Sequence, residues 1–134
     1  MLNKKKFCQE WLEKAHEDEL SSQSLLKHKD AAPSTVCFLA QQMAEKCLKG
    51  FLIFHTNEFP KSHDLLDLET ILLKFAPDIK KVHQDLNLLN QYYVEARYPG
   101  DYPEGFSWHD AQEAFDAAVR IKEFVLSKIT SEHE

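Results

Sequence analysis

Glycine is scarce in this chain, with only three among its 134 residues. So few glycines leave little room for the many tight turns of a β-rich domain. Hydrophobic residues make up 43% of the chain and charged residues 28%, close to the averages of globular domains. A chain of this length also buries enough surface to form a core without disulfides or bound metal ions. The composition therefore predicts one all-α domain spanning residues 1–134.

The chain also lacks the marks of a secreted or membrane protein. Its three cysteines are an odd number without C-x-x-C spacing, and Cys37 and Cys47 occupy apolar helical positions. The lysines at positions 4 to 6 are not followed by the apolar segment of a signal peptide. No apolar run approaches the roughly 18 residues that a membrane span needs. We expect a cytoplasmic protein with free thiols and no membrane association.

Several catalytic motifs are missing as well. The sequence has no His-Glu-x-x-His motif, no phosphate-binding glycine-rich loop and no Gly-x-Ser-x-Gly elbow. A di-metal bundle needs two Glu-x-x-His pairs, and only Glu13-x-x-His16 is present. The net charge of −6 argues against a surface that binds nucleic acid throughout. We therefore expect no metal and no cofactor.

Apolar residues recur at spacings of three and four along most of the chain, which is typical of amphipathic helices. The second segment is the most apolar, and we expect its helix to be central to the core. Ser107 and Asp110 have the spacing of a capping box that begins the last helix. The pattern predicts a five-helix up-and-down antiparallel bundle, with helices over residues 7–27, 33–54, 65–76, 77–97 and from 107 onward.

Arginine is the scarcest basic residue, represented only by Arg97 and Arg120. Arg97 lies where the fourth helix must stop, beside tyrosines and an aspartate in the segment QYYVEARYPGDY, residues 91–102. It can stabilise the turn by packing on Tyr98 or Tyr102 and pairing with Asp101 or Glu95. It can equally bind a phosphate, with Tyr98 and Tyr102 stacking on a base.

Three blocks of the sequence resemble the HEPN domain family (higher eukaryotes and prokaryotes nucleotide-binding). They are VCFLAQQMAEKCLK at 36–49, PKSHDL at 60–65, and the stretch from Leu89 to Pro99 that contains ARYP. With the alanine-rich last helix, they cover nearly the whole chain in family order. The resemblance implies a five-helix bundle, frequent homodimerisation, and pairing with a small nucleotidyltransferase.

Many HEPN proteins are metal-independent ribonucleases, in which four to six residues separate an arginine from the histidine that follows it. In this chain that window holds Tyr102, Pro103 and Glu104, and the first histidine after Arg97 is His109. The proton-transfer residue is thus missing at the expected spacing. His109 either lies in the first turn of the last helix without catalytic duty, or approaches Arg97 if the preceding turn folds back. His63 either lies beside a helix N-cap or contributes to the Arg97 pocket.

We therefore expect a small binding protein with an anion cleft for a nucleotide or RNA phosphate, working with a minimal nucleotidyltransferase. An alternative is a ribonuclease toxin of a HEPN/nucleotidyltransferase toxin–antitoxin pair, using His109 or His63. A purely structural homodimer is a third option. The polar residues of the second helix are expected either on a solvated face or in the cleft. The candidate ligand-binding residues are Arg97, Tyr98, Asp101, Tyr102, His63, Asp64, Gln42, Glu45 and Lys46.

Overall fold

A computed structural model describes residues 4–56, 61–95 and 105–133, and these form helices and the turns between them. This confirms the predicted all-α bundle. None of the described helices is long and apolar enough to cross a membrane. The elements are α1 (Lys4–His28), α2 (Pro33–His55), α3 (Leu65–Leu72), a 3₁₀ helix (Pro77–Val82), α4 (His83–Asn90), α5 (Tyr92–Glu95) and α6 (Trp108–His133).

Helix α2 is the centre of the bundle, as its apolar sequence predicts. Pro33 lies in its first turn, where a missing backbone N–H removes no helical hydrogen bond. The helix contacts α1, α3, α4, α5 and α6. Because neighbours surround it, α2 buries polar as well as apolar positions. Its fully buried large side chains include Met43, Leu48 and Phe51.

Helices α1 and α2 approach each other closely at Gly50. A Cβ atom at this position would lie 3.2 Å from the Cβ of Trp11 and 3.3 Å from the carbonyl oxygen of Cys8. Gly50 is near the end of α2, whereas Cys8 and Trp11 are near the start of α1. The two helices are therefore antiparallel, and glycine permits the short distance between them.

The inward face of α1 carries polar as well as apolar residues. Phe7 is exposed, while its neighbour Cys8 is buried. Glu19 and Ser22 are also buried on this helix. Glu19 is stabilised there by Lys122 of α6, whose Nζ lies 2.7 and 2.9 Å from the two carboxylate oxygens. A charged partner on another helix cannot be read from the periodicity of α1 alone.

The predicted fourth helix is interrupted. Its first turn is a 3₁₀ helix that begins at Pro77. Val82 leaves helical geometry with φ −108° and ψ 13°, and α4 starts at the next residue. The third helix also ends at Leu72, earlier than predicted, and a turn follows. Phe75 in this turn stacks on His55 at the end of α2, with ring centroids 5.1 Å apart.

The predicted capping box of the last helix is confirmed. Ser107 Oγ accepts a hydrogen bond of 3.0 Å from the backbone N–H of Asp110, and Asp110 Oδ2 accepts one of 2.9 Å from the N–H of Ser107. Gly105 precedes this box with φ +78°, a conformation that favours glycine. Helix α6 then packs along α2 through a stripe rich in alanine.

Candidate functional site

The predicted cleft is only partly described. Arg97, Tyr98, Asp101 and Tyr102 lie outside the described residues, which stop at Glu95 and resume at Gly105. The remaining candidates lie on α2, at the start of α3 and at the start of α6. Their contacts define the described part of the site.

Glu45 is the centre of a buried polar cluster. Its Oε2 accepts hydrogen bonds from Lys49 Nζ and His63 Nδ1, each 2.9 Å long. The side chains of Glu45 and Lys49 are only 7% and 5% exposed. An i,i+4 ion pair on a single helix has good geometry for such burial, because both side chains lie on the same face. Lys49 thus compensates the charge of Glu45 inside the protein.

Gln41 extends this cluster by one turn of α2. Its Nε2 lies 3.4 Å from both Glu45 Oε1 and the backbone oxygen of His63. Its Oε1 accepts a hydrogen bond of 2.7 Å from Gln42 Nε2. Gln42 therefore reaches the cluster through Gln41, and the amides connect α2 with the segment that precedes α3.

His63 is the exposed member of the cluster, with 54% of its side chain accessible. Its Nδ1 donates to Glu45, and its ring stacks on Tyr93 of α5 with centroids 5.4 Å apart and planes at 10°. Two contacts in different directions fix the imidazole. Its Nε2 makes no hydrogen bond to the described residues, so it is the atom of this histidine that can meet a ligand.

Asp64, in contrast, has a structural role at the start of α3. Its Oδ1 accepts hydrogen bonds from the N–H groups of Leu66 and Asp67, at 2.8 and 3.2 Å. Asn90 of α4 completes the cap, since its Oδ1 accepts from the N–H of Leu65 at 2.7 Å. These bonds satisfy N–H groups that a helix start otherwise leaves unpaired.

Lys46 and His109 are placed away from this cluster. Lys46 Nζ lies 2.7 Å from Asp18 Oδ2, so it links α2 to α1. His109 is 86% exposed and has only a distant contact of 3.7 Å, to Glu113. No described residue orients its ring as Glu45 and Tyr93 orient His63.

The sequence did not single out Lys49, Gln41 or Tyr93 as site residues. Residues 41, 45 and 49 follow one another at i,i+4 spacing on α2, a row that shares one face. The row was open to interpretation as a solvated face because its residues are polar. It is buried because His63 of the segment before α3 contacts Gln41 and Glu45, and Trp11 of α1 lies against Lys49, with its ring centroid 5.8 Å from Nζ.

The cluster offers an oriented imidazole with balanced charges behind it. Lys49 offsets the charge of Glu45, so this ion pair carries no net charge beside the imidazole of His63. The exposed edge of the ring faces solvent. The described residues contain no group of three or more His, Cys, Asp or Glu side chains suited to a metal. Cys47 is unsuited to nucleophilic chemistry, because burial raises its pKa to about 12.

Comparisons with known proteins agree with the fold. The sequence model of the HEPN domain matches residues 8–129. The crystal structure of TT1696 from Thermus thermophilus is similar, with 30% identity, TM-score 0.79, and coverage of 90% of this chain and 97% of that chain. The crystal structure of ST0689, an archaeal HEPN homologue, has 27% identity and TM-score 0.72, and covers 91% and 97%. Among curated proteins, none matches the chain significantly.

Proposed function

This chain belongs to the HEPN domain family, and from that premise we propose that it binds a nucleotide or RNA phosphate in a cleft around Arg97. The supporting observation is the position of His63. Its ring is held between Glu45 and Tyr93, and Tyr93 precedes Arg97 by four positions in the chain. An oriented imidazole and a guanidinium can together bind a phosphate oxyanion.

The two arginines provide a matched test of this binding. Calorimetry with a short RNA that ends in hydroxyl groups, and so carries only phosphodiesters, should show binding to the native protein and to Arg120→Ala, and at least tenfold weaker binding to Arg97→Ala. Arg120 is a suitable control because it forms an exposed bidentate pair with Asp85, at 2.9 and 3.1 Å. Equal binding by all three proteins, or binding by none, would contradict the proposed cleft.

A metal-independent ribonuclease is the second candidate, and one contact favours His63 over His109 as its proton-transfer residue. His63 Nδ1 donates to a buried carboxylate, an arrangement that fixes a catalytic histidine's orientation, whereas His109 has no such partner among the described residues. RNA should then be cleaved in the presence of a chelator by the native protein and by His109→Ala. Cleavage should be lost in His63→Ala. Equal cleavage by all three would exclude His63.

The proposal also includes the partners of this protein. Its HEPN fold is consistent with a homodimer that cooperates with a small nucleotidyltransferase, either as a binding partner or as a toxin–antitoxin pair. Light scattering at micromolar concentration should give the mass of a dimer, and a monomer would contradict it. Co-expression with a nucleotidyltransferase encoded beside the gene should give a stable complex.

A further inference from the structure

A second histidine is held by a buried glutamate, at a different place in the fold. His83, the first residue of α4, donates from Nδ1 to Glu69 of α3, with distances of 2.8 and 3.0 Å to the two carboxylate oxygens. Glu69 is 7% exposed and His83 is 53% exposed. Among the described residues, His83 is the only side chain that hydrogen-bonds this carboxylate. The imidazole is therefore fixed in place, with Nε2 directed away from Glu69.

This pair lines a cavity that is separate from the His63 cluster. The cavity has a volume of about 360 Å³ and is lined by Glu69, Leu73, Lys80 and His83. Its size lies at the lower end of the range for small-ligand sites. The His63 cluster is near Asn90, at the other end of α4, and about 10 Å of helix separates the two ends.

A lysine lines the cavity, although the chain as a whole is acidic. Lys80 lines it, and Lys81 is the next residue of the same 3₁₀ helix. Neither lysine forms an ion pair with a described residue, in contrast to Lys128, which pairs with Asp78 nearby. The ammonium group of Lys80 thus remains available for an anionic ligand in the cavity, and Glu69, which also lines it, is hydrogen-bonded to His83.

From these features we infer that the cavity binds a phosphate monoester. The phosphate would accept hydrogen bonds from Lys80 Nζ and from Nε2 of His83 with protons on both ring nitrogens, and the organic part of the ester would lie against Leu73. Hydrogen bonds between charged groups and phosphate oxygens are the stronger kind. The small volume fits a single phosphate and a short organic group better than a polynucleotide.

The chain contains a matched control for this site. His16 donates from Nδ1 to buried Glu19 at 3.2 Å, and it lines a cavity of about 450 Å³ with Gln9, Leu12 and Glu13. The histidine–glutamate pairing is similar, but no lysine is among the described residues that line this cavity. A phosphate monoester should therefore not bind beside His16.

The test is a nitrogen-15 NMR titration of the histidine side chains with phenyl phosphate, at ionic strength held constant with chloride. The Nε2 resonance of His83 should shift and saturate, while that of His16 should stay unchanged. Lys80→Ala should weaken binding about tenfold, because it removes one charge-assisted hydrogen bond. Lys27→Ala is the control and should have no effect. Lys80 is exposed, so its variant is expected to fold, and circular dichroism would verify this.

Three outcomes would overturn the inference. They are no shift at His83, equal shifts at His16 and His83, and a His83 shift that Lys80→Ala leaves unchanged. Equal shifts would mean adventitious ion binding only. Titration of Arg97→Ala separates this site from the proposed cleft, because the His83 shift should persist in that variant whether or not the cleft binds nucleotide.

Discussion

Glu19, Glu45 and Glu69 are buried carboxylates that each accept a hydrogen bond from the Nδ1 of a half-exposed histidine. They differ in their other charged partners. Glu19 also binds Lys122 of α6, Glu45 binds Lys49 of its own helix, and Glu69 binds no lysine of the described residues. Burying a charge is costly unless hydrogen bonds and opposite charges compensate it. The lysines therefore determine how much each site tolerates mutation.

Lys49→Met should destabilise the protein by about 3 kcal/mol, because it leaves Glu45 buried without its ammonium partner. The double variant Glu45→Gln/Lys49→Met should lose less than the sum of the two single variants, since it removes both charges. Urea unfolding followed by far-UV circular dichroism measures these differences. A strictly additive result would show that the pair contributes no coupling energy.

Glu19 should make the protein sensitive to acid. Burial raises the pKa of Glu19, but the hydrogen bonds from Lys122 and His16 outweigh burial and leave the pKa below its ordinary value of 4.5. A carboxyl group with a lowered folded-state pKa contributes stability above its unfolded pKa, and this contribution is lost as pH falls through the folded value. Stability should therefore decline below about pH 4.5.

Lys122→Met should shift this loss to higher pH, because burial then raises the pKa of Glu19 without opposition from the ammonium group. Acid titration monitored by circular dichroism would show the shifted midpoint. Lys14→Met is the matched control, since Lys14 pairs with Glu17 at an exposed position where both side chains are more than half accessible. If both variants unfold at the same pH, the Glu19–Lys122 contact does not govern acid stability.

The sequence predicted individual residues of the candidate site, but not the contacts between them. Glu45 and His63 could be proposed because they fall in family blocks, but their contact joins residues 18 positions apart. The burial of Gln41 and Lys49 depends on which helices cover α2. Periodicity describes one helix at a time, so it could not distinguish this buried polar row from a solvated face.

At the scale of elements, the turn after α1 is strained at one residue. Lys29 has φ 51°, a left-handed conformation that favours glycine, and its N–H donates to the carbonyl oxygen of Leu25 at 2.8 Å. Lys29→Gly should therefore be about 1 kcal/mol more stable than Lys29→Ala. Both variants lose the cation–π contact with Trp108, so thermal unfolding of the pair isolates the backbone effect. Equal stability would contradict the assigned strain.

The contact between α1 and α2 should not tolerate a larger residue at position 50. Gly50→Val would place branched carbons against Trp11 and the backbone of Cys8, where even a Cβ is tight. We expect destabilisation of about 2 kcal/mol or more by urea unfolding, typical of overpacked sites. Gly50→Ala should cost less, because its better helix propensity offsets part of the crowding. A stabilised Gly50→Val would show that the helices can separate freely.

The elements themselves were largely predictable, and the exceptions have local causes. Prolines and the Ser107–Asp110 capping box located the helix starts correctly. The periodicity from Pro77 to Arg97 predicted one helix, because the apolar residues of a 3₁₀ turn and an α-helix keep a similar spacing over so short a stretch. The break at Val82 depends on backbone angles that the pattern of side chains does not report.

At the scale of the whole molecule, all the long helices contribute buried apolar residues to a single core cluster. A chain with one shared core should unfold cooperatively, with no part remaining folded alone. The two tryptophans report on this directly. Trp11 lies on α1 and Trp108 on α6, so each senses one of the helices that pack on α2.

Trp11→Phe and Trp108→Phe leave one fluorophore each, and each protein should show coincident urea transitions by fluorescence and by circular dichroism. Coincidence within each variant is the criterion, because the substitutions themselves can change stability. We expect coincident transitions because α1 and α6 both require α2 to bury their apolar faces. A fluorescence transition of Trp108 that precedes the loss of helix would instead show that α6 detaches independently, and residues 1–134 would then not act as one cooperative domain.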